Sequence, residues 1–252
     1  MLLYTHNHGN SSKLLKQELG IKSLKKNSTY KGFDLIINWG NSKPVNEHNL
    51  FYINHPQGVR NAVNKLHTFN RLFSYGIMPP SRTVPEDFME QNWNKTVCRS
   101  IVNGTNGEGI TICKRGEELP IVPLYIKYIE KIAEYRVHFG MIDGEVKMLE
   151  SFRKRLRNGV DDLYPDRSKF IRNLDNGWVM CYEDINDNPS LYDFTGKCAQ
   201  LIGENLGLSF GAMDIIQEKG TRKFYLLEVN SAPGLEERTA KMYANYFKQF
   251  GE

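Results

Sequence analysis

Two carboxylates and an amide near the end of the chain are the residues best suited to hold a cation. The apolar run Phe224 to Leu227 predicts a buried strand, and Glu228 and Asn230 follow it two positions apart, so they face one side. If this strand pairs with the run that contains Asp214, the three side chains converge. Such oxygen ligands suit Mg²⁺, which completes its octahedron with water and phosphate oxygens. The alternative is a strand end whose polar side chains face solvent.

A glycine-rich loop at residues 103–110, NGTNGEGI, places Gly104, Gly107 and Gly109 between two predicted strands. It is not a Walker-type loop, because no Lys-Ser/Thr pair follows and the next segment is a strand. Its glycine spacing also differs from the dinucleotide-binding fingerprint. A glycine loop between strands can donate backbone N–H groups to phosphates. An ordinary flexible hairpin loop would have the same composition.

The composition is that of an ordinary globular protein of 252 residues, with 40% hydrophobic and 25% charged residues, and it does not indicate disorder. A net charge of +4 fits an anionic ligand such as a nucleotide without requiring one. No apolar run approaches the roughly 18 residues that span a bilayer, so we expect a cytoplasmic protein without a membrane partner. The cysteines lack C-x-x-C spacing, and we predict reduced, mostly buried thiols. They are Cys98, Cys113, Cys181 and Cys198.

Alternating strand and helix patterns predict an α+β protein. Residues 1–58 read as a small α/β leading domain, and residues 59–252 as a larger domain in which about residues 90–130 form a smaller subdomain around the glycine loop. One helix is predicted before Gly76, with Ala62, Leu66, Phe69 and Phe73 on its apolar face. The dipeptide Asp143-Gly144 predicts a tight hairpin.

The order of these features resembles the ATP-grasp enzymes. A helix carrying Lys65, a strand with Arg99, the glycine loop, the strand LYIKYI, the segment EYRV, Asp214 and the run LEVNSAPGL follow one another as in that family. The resemblance covers about residues 64–235. It is closest to the ribosomal-protein-glutamate-ligase-like branch and to short ATP-grasp proteins encoded by bacteriophages. It implies two α+β subdomains that clamp ATP between their sheets, preceded by a reduced leading domain.

The resemblance also implies roles for individual residues in binding the nucleotide. Lys65 and Arg99 would contact phosphates, although the family usually has lysine where Arg99 stands. Glu134 matches a position near the ribose that is usually an aspartate. In the family, a short linker holds adenine through its backbone groups, and three residues here match that linker. The family's metal ligands match the two carboxylates and the amide considered first, which would bind Mg²⁺ or, as an alternative, Mn²⁺. The linker is Lys127, Tyr128 and Ile129; the metal ligands are Asp214, Glu228 and Asn230.

Three further residues are implied near the reacting groups. Arg153 and Asn173 match positions beside the γ-phosphate and the reacting carboxylate. Transfer of the γ-phosphoryl group to a carboxylate brings like charges together, and Mg²⁺ with Arg136, Arg153 and Lys65 would offset that repulsion. Arg136 has an equally good interpretation as a sheet residue paired with a carboxylate. We therefore predict an ATP- and Mg²⁺-dependent ligase that joins a carboxylate to an amine, on small-molecule or peptide substrates, through an acyl phosphate.

Two other functions stay open at this stage. A kinase of the same fold would transfer phosphate to a hydroxyl group without ligation. A non-catalytic, nucleotide-gated binding protein would use the basic run at residues 152–159, FRKRLRNG, to contact nucleic acid, although such a run is more often a solvated loop. His6 and His8 lack a third ligand nearby, which argues against a separate metal site. The sequence indicates neither the individual substrates nor the oligomeric state.

Overall fold

The computed structural model describes residues 1–5, 9–24, 35–45, 50–84, 93–104, 107–163, 168 and 170–251. His6 and His8 lie outside these ranges, as do Thr105 and Asn106 of the glycine loop. Within the described ranges, no helix is long and apolar enough to cross a membrane.

The chain begins with a parallel sheet and one helix. Its strands are β1 (Leu2–Thr5), β2 (Leu35–Trp39) and β3 (Phe51–Ile53), in that order, and the helix is α1 (Asn10–Leu19). α1 ends at Gly20, whose φ of 65° lies in the left-handed region that favours glycine. The leading sheet shares its core with α6 (Glu237–Lys248): Trp39 contacts Tyr243, and Leu3 and Ile53 lie in the same buried cluster as Phe247. A domain boundary near residue 58 therefore stays a prediction.

The single helix predicted before Gly76 is two helices, α2 (Pro56–Val63) and α3 (Lys65–Leu72). Asn64 separates them with extended backbone (φ −85°, ψ 107°), and its side chain accepts the N–H of His67 at 3.1 Å, which caps α3. Phe69 is buried, whereas Phe73 is 43% exposed, so the face predicted for Phe73 is wrong. The break places Lys65 in the first turn of α3.

An antiparallel sheet follows, with the strand order β4-β7-β5-β6. Its strands are β4 (Ser81–Arg82), β5 (Lys95–Arg99), β6 (Ile110–Lys114) and β7 (Leu124–Lys127). Cys98 and Cys113 are buried on neighbouring strands with their Sγ atoms 3.9 Å apart. Cys198 is also buried and Cys181 is half-buried, which confirms the prediction of mostly buried thiols; the structure has all four as free cysteines.

The largest sheet is antiparallel, with the order β10-β9-β8-β11-β12. Its strands are β8 (Lys131–Ile142), β9 (Glu145–Leu156), β10 (Trp178–Tyr182), β11 (Phe210–Glu218) and β12 (Phe224–Asn230). The remaining helices are α4 (Val160–Leu163) and α5 (Pro189–Leu206). The predicted hairpin joins β8 to β9 through Asp143 and Gly144, both with positive φ.

Strand register decides which side chains share the open face of the large sheet. Asp214 on β11 lies opposite Arg136 on β8 and opposite Glu228 on β12. Since side chains alternate along a strand, Glu134 and Arg136 lie on the face of Asp214, whereas Val137 lies on the face that packs against α5. The open face looks toward the four-stranded sheet and toward α6.

Candidate active site

A cavity of about 770 Å³ lies between the open face of the large sheet and the four-stranded sheet. We call it the large cavity. One end is apolar: Ile216 and Ile129 pack together there, beside the linker that follows β7. Two residues along β11 from Ile216, Asp214 marks the charged end. A ligand with one apolar and one strongly charged part matches this division.

The charged end is built from cations and carboxylates of several elements, which we call the charged group. Arg136 donates to both carboxylate oxygens of Asp214, with N–O distances of 2.7 and 2.8 Å. The ammonium group of Lys154 lies 3.7 Å from the same carboxylate. Burial raises the pKa of Asp214, but Arg136 and then Lys154 outweigh it and hold that pKa below its ordinary value. The charged group is Lys65, Arg99, Lys131, Glu134, Arg136, Lys154, Asp214 and Glu228.

Glu134, predicted near a ribose, lines the large cavity, and lysines hold its carboxylate. Lys131 lies 2.6 Å from one oxygen, and Lys154 donates to the other. Glu134 is 4% exposed, and burial raises its pKa, yet the two lysines reverse the shift and lower it. The carboxylate is therefore charged, and it fixes Lys154 in the wall of the cavity.

Glu228 and Asn230 lie side by side at the end of β12, as the alternation predicts. The amide of Asn230 donates to Glu228 at 3.4 Å, a long hydrogen bond, and half a turn of that amide would present its oxygen instead. Glu228 also lies 3.4 Å from the ammonium group of Lys65, which donates to the carbonyl of Gly104 at 2.7 Å. The side chain of Glu228 is 28% exposed and so remains accessible.

This donor set fits a hard divalent cation, with unequal contributions from the three predicted ligands. Glu228 offers its carboxylate at the wall of the large cavity, and Asn230 lies beside it, outside that wall. Both carboxylate oxygens of Asp214 already accept hydrogen bonds from Arg136. The described residues hold no cluster of three or more His, Cys, Asp or Glu side chains. A cation here would take most of its ligands from water and from a bound anion, which is typical of Mg²⁺.

Arg99 points from β5 toward the same end of the large cavity. Its Nε atom is buried and has no hydrogen-bond partner among the described residues. Burial lowers the pKa of Arg99, and Glu228 only partly opposes that shift. A buried Nε–H group without a partner is costly, so Arg99 indicates that an anion belongs beside it.

The three glycines of the loop have different environments. Gly104 lines the large cavity, and so does Gly107, whose φ of 85° requires glycine. Gly109 (φ 69°) does not line it; an added Cβ there would lie 2.8 Å from the backbone nitrogen of Ile101. Ser100 donates its N–H to the carbonyl of Gly109 at 2.9 Å. Gly109 thus closes the turn that holds the other two glycines in place.

The predicted linker borders the apolar end. Lys127, Tyr128 and Ile129 all line the large cavity, and the N–H of Tyr128 donates to the carbonyl of Lys95 at 3.0 Å. The ring of Tyr128 meets that of Phe170 edge-on at 5.6 Å. The linker backbone is therefore held against both the four-stranded sheet and the segment around Phe170.

The structure does not bring Arg153 to the charged group. Arg153 lies opposite Tyr135, with its guanidinium 5.9 Å from the ring centre, and it pairs with Glu183 at 3.6 Å. Tyr135 packs in the core on the α5 side, so Arg153 occupies the face away from the cavity. Its neighbour Lys154 occupies the open face instead.

Asn173 does line the large cavity, where it also stabilises a local turn. Its side-chain oxygen accepts the N–H of Asn176 at 3.1 Å. Next to it, Arg172 stacks on Trp178 with 4.4 Å between the guanidinium and the ring centre. Arg172 also donates to the carbonyl of Lys131 at 3.1 Å. This stack forms the wall that faces the glycine loop, since Gly107 approaches Ile171.

Sequence reasoning missed Lys131 and Lys154. The only sequence signal for Lys154 was the alternation of side chains along its strand. Lys154 adjoins Arg153, which lies opposite Tyr135 on β8, and the basic run FRKRLRNG does not by itself fix that register. Alternation alone places Arg153 and Lys154 on opposite faces of the strand. Which of the two faces the cavity depends on the register of the strand.

A second cavity of about 300 Å³ adjoins the charged group. We call it the small cavity. It lies between the leading sheet, the end of α2 and the residues that follow β12, and it shares Lys65, Gly104 and Glu228 with the large cavity. Its described lining residues are Thr5, Gly9, Ser11, Ser12, Trp39, Gly40, Ala62, Val63, Lys65, Asn103, Gly104, Glu228, Val229, Asn230, Ser231, Ala232 and Gly234.

Comparison with known proteins gives no match in sequence and clear matches in structure. No protein-family model matches the chain. No curated protein matches it either. D-alanyl-alanine synthetase A from Vibrio cholerae superposes with a TM-score of 0.63 at 12% identity, covering 98% of this chain and 96% of that one. A D-cycloserine synthetase gives 0.67 at 15% identity, covering 97% and 98%.

A third similar structure is described as an ATP-grasp ligase. The RiPP-associated ATP-grasp ligase of Chryseobacterium gregarium, in complex with ADP and a leader and core peptide, superposes with a TM-score of 0.62 at 11% identity. The match covers 99% of this chain and 96% of that one, so it includes the leading sheet as well as the two sheets around the cavity. This chain has the ATP-grasp fold.

Proposed function

We propose that this protein is an ATP- and Mg²⁺-dependent ligase that joins a carboxylate to an amine and releases ADP and phosphate. The observation that carries the proposal is the large cavity, which runs from an apolar linker to a charged group containing the unpartnered Arg99. ATP has the same division into a flat apolar base and a chain of phosphates. The ATP-grasp fold, which the solved ligases share, supports the proposal.

We assign the nucleoside to the linker end of the cavity. Ile129 and Ile216 offer apolar surface for the base, and the backbone of residues 127–129 would bind its polar edge. We keep Glu134 near the ribose, where its lysine-bound carboxylate lines the wall. The glycine loop would cover the phosphates, with Gly104 and Gly107 allowing close backbone approach.

We assign the phosphates to the charged group. Arg99 would gain the partner that it lacks, and Lys65 and Lys154 would donate from opposite sides. Arg136 keeps its bidentate hydrogen bonds to Asp214, so these donors do not bind phosphate. Arg136 would instead contribute positive electrostatic potential and hold the Asp214 carboxylate in position. We transfer the role first predicted for Arg153 to Lys154, because Arg153 lies on the other face.

Mg²⁺ would be held by Glu228 and Asn230, with Asp214 as the more distant carboxylate, and when bound it would neutralise phosphate charge. The residues of the chain do the rest by placing cations where negative charge accumulates. A carboxylate oxygen of the first substrate attacks the γ-phosphorus, and the bond to ADP breaks. The amine nitrogen of the second substrate then attacks the carbonyl carbon, phosphate leaves, and the amine loses a proton. The product is an amide.

Calorimetric titration with a non-hydrolysable ATP analogue and Mg²⁺ tests the nucleotide site. The matched pair of variants is Glu228→Gln, in the charged group, and Glu183→Gln, which pairs with Arg153 on the far face. We expect Glu228→Gln to lose the Mg²⁺ dependence of binding and Glu183→Gln to keep it. Absence of binding to the folded wild-type protein would overturn the proposal.

Trapping with hydroxylamine distinguishes ligation from phosphorylation of a hydroxyl group. An acyl phosphate reacts with hydroxylamine to give a hydroxamate, whereas a phosphate ester does not. We expect a hydroxamate and one ADP for each turnover when a carboxylic acid, ATP and Mg²⁺ are supplied. Phosphate ester without hydroxamate would show that a kinase of the same fold is the better description.

The peptide bound to the Chryseobacterium gregarium ligase suggests peptide substrates, and the two synthetases suggest small ones. Membership of the ribosomal-protein-glutamate-ligase-like branch, likeness to bacteriophage proteins and a cytoplasmic location stay predictions from the sequence. So does the subdomain division at residues 58 and 90–130.

A further inference from the structure

Two residues in the wall of the large cavity carry a buried side-chain N–H group that has no hydrogen-bond partner among the described residues. One is Arg99, whose Nε–H the proposed function assigns to the phosphates. The other is Trp178 at the start of β10, whose indole Nε1–H has no role in the proposed function. Buried indole N–H groups normally find an acceptor, so this one indicates a ligand acceptor atom beside it.

The indole ring of Trp178 is held in place from two sides. The guanidinium of Arg172 lies 4.4 Å from the ring centre and donates to the carbonyl of Lys131 on β8 at 3.1 Å. The backbone N–H of Trp178 donates to the carbonyl of Asn173 at 3.1 Å, which fixes the start of the strand. The residue is only half-buried, so a ligand in the cavity can still reach the ring.

The segment that precedes Trp178 borders the space that the proposed function assigns to the nucleotide. The ring of Phe170 meets that of Tyr128 in the linker edge-on at 5.6 Å. Ile171 lies 3.2 Å from the position that an added Cβ on Gly107 of the glycine loop would take. The segment therefore lies beside the nucleoside, between the linker that would bind the base and the loop that would cover the phosphates.

A short chain of contacts joins Trp178 to the carboxylate that we keep near the ribose. Arg172, which stacks on Trp178, donates to the backbone of Lys131, and the ammonium group of Lys131 lies 2.6 Å from Glu134. Each oxygen of Glu134 already accepts a lysine donor, but each has a second lone pair. Trp178 thus offers a donor on the same side of the nucleoside on which Glu134 offers an acceptor.

The ribose is the part of the nucleotide that matches this combination. The base is assigned to Ile129 and Ile216, and Ile216 lies on β11, three strands or roughly 14 Å across the sheet from β10. The phosphates are assigned to the cations of the charged group. The ribose hydroxyl groups lie between base and phosphates, and one hydroxyl can donate to a carboxylate while it accepts from an indole N–H.

We infer that Trp178 recognises the ribose of the nucleotide by donating its indole N–H to a hydroxyl oxygen, and that Arg172 positions the indole ring. This inference rests on the proposed function, because it concerns the nucleotide of that reaction. It makes Trp178 a residue that determines specificity for ribonucleotides over deoxyribonucleotides.

Calorimetric titration of the intact protein with ADP, 2′-deoxy-ADP and 3′-deoxy-ADP, each with Mg²⁺, tests the recognition of the ribose. We expect at least one deoxynucleotide to bind about fivefold or more weakly than ADP, as the loss of a neutral hydrogen bond would give. The ratio of the two Kd values is the quantity of interest, because a general change in the cavity alters both constants alike. Equal affinities of all three nucleotides would overturn the inference.

Variants at position 178 assign the discrimination to the indole N–H. In Trp178→Phe the ratio should fall at least about threefold, and the same fall is expected when benzothienylalanine, which has sulfur in place of the N–H in a ring of the same shape, replaces Trp178. Met180→Leu is the control, because Met180 lines the large cavity from the same face of β10 and has no N–H group in its side chain. We expect it to keep the wild-type ratio. An unchanged ratio in Trp178→Phe would overturn the inference and leave Glu134 to recognise the ribose.

A double variant tests the positioning role of Arg172. Arg172→Gln removes the cation that stacks on the indole ring, so the ratio should fall as it does in Trp178→Phe. Because both changes act on one hydrogen bond, Arg172→Gln combined with Trp178→Phe should lower the ratio no further than Trp178→Phe alone. A wild-type ratio in Arg172→Gln, or an additional fall in the double variant, would overturn the positioning role.

The same titrations separate a failure of this inference from a failure of the proposed function. If the folded wild-type protein binds none of the three nucleotides, the proposed function fails and the ribose inference fails with it. If ADP binds and hydroxamate forms while Trp178→Phe keeps the wild-type ratio, the proposed function holds and the ribose inference alone fails.

Discussion

Replacing Lys154 with glutamine should weaken nucleotide binding, whereas the same replacement of its neighbour Arg153 should have little effect. The two residues are consecutive on β9 and both are cations, but they lie on opposite faces of the sheet. Lys154 lines the large cavity, while Arg153 pairs with Glu183 on the other side. Each variant removes one positive charge from neighbouring positions of β9, so the two variants differ mainly in the face of the sheet from which the charge is removed.

The magnitude follows from the bonds of the Lys154 ammonium group. It has three N–H donors, one of which goes to Glu134, and Asp214 at 3.7 Å is beyond hydrogen-bond distance. At 10% exposure the side chain is well shielded from water, so a remaining donor can form a charge-assisted bond to a phosphate. Such a bond contributes about 1.5 to 3 kcal/mol, which corresponds to roughly a 10- to 150-fold change in Kd.

The assay is calorimetric titration of a non-hydrolysable ATP analogue with Mg²⁺ into each variant. Urea unfolding accompanies it, because Lys154→Gln leaves Glu134 with Lys131 as its remaining lysine partner and should lower the free energy of unfolding. Lys154→Arg keeps the charge and should recover part of the affinity. A loss at Arg153→Gln as large as that at Lys154→Gln would refute the assignment of faces, and unchanged binding in folded Lys154→Gln would refute the phosphate contact.

Three further predictions concern charge, backbone and pH. Asp214→Asn should lower the free energy of unfolding, measured in urea, by about 3 to 5 kcal/mol, because it leaves Arg136 without its carboxylate and Lys154 with Glu134 alone. Glu228→Gln, at a partly exposed side chain, should leave that free energy nearly unchanged. Gly109→Ala should lower the free energy of unfolding by about 1 to 3 kcal/mol, which is more than Gly144→Ala should lower it. Both positions have positive φ, but only at Gly109 would the added Cβ lie 2.8 Å from a backbone atom. Equal melting temperatures of the two variants would contradict this. Burial and, to a lesser degree, Arg136 lower the pKa of His138 from 6.5 to about 3. The neutral imidazole therefore contributes its full stabilisation above pH 6.5, and this stabilisation is lost as the pH falls toward 3. Between pH 7 and pH 5, in metal-free buffer, the free energy of unfolding of the wild type should fall by roughly 2 kcal/mol more than that of His138→Gln.

The end of β12 illustrates how much the sequence predicted and where the prediction stopped. Alternation correctly placed Glu228 beside Asn230, and the pairing on which their approach to Asp214 depended is present between β11 and β12. The hydrogen bond of 3.2 Å between His138 and Tyr243 joins residues far apart in the chain, and no local pattern contains it. Since the hydroxyl of Tyr243 donates to Gly211 at 2.8 Å, it accepts from His138, which fixes the proton on Nδ1.

The two larger failures have the same physical origin. One predicted helix became two because the Asn64 side chain can cap a new helix, and periodicity across the break gave no sign of it. Arg153 was assigned to the site and Lys154 was overlooked because a shift of one residue in register exchanges the faces of a strand. The register of β8 and β9 is set by their full length and by a shift after His138, not by the basic run itself.

The balance of charge in the site explains why an anionic ligand is needed to complete it. The charged group contains five cations and three carboxylates around one end of the large cavity, and Glu134, Lys154 and Asp214 among them are largely buried. Each carboxylate is already paired, and Arg99 has an Nε atom without a partner among the described residues. Like charges brought together at low dielectric destabilise the folded state, and a bound triphosphate removes that cost. The repulsion among these cations destabilises the free protein, and its relief on binding therefore contributes to the affinity for the nucleotide. Because Arg99→Gln removes the unpaired charge, the nucleotide should stabilise that variant against unfolding less than it stabilises the wild type.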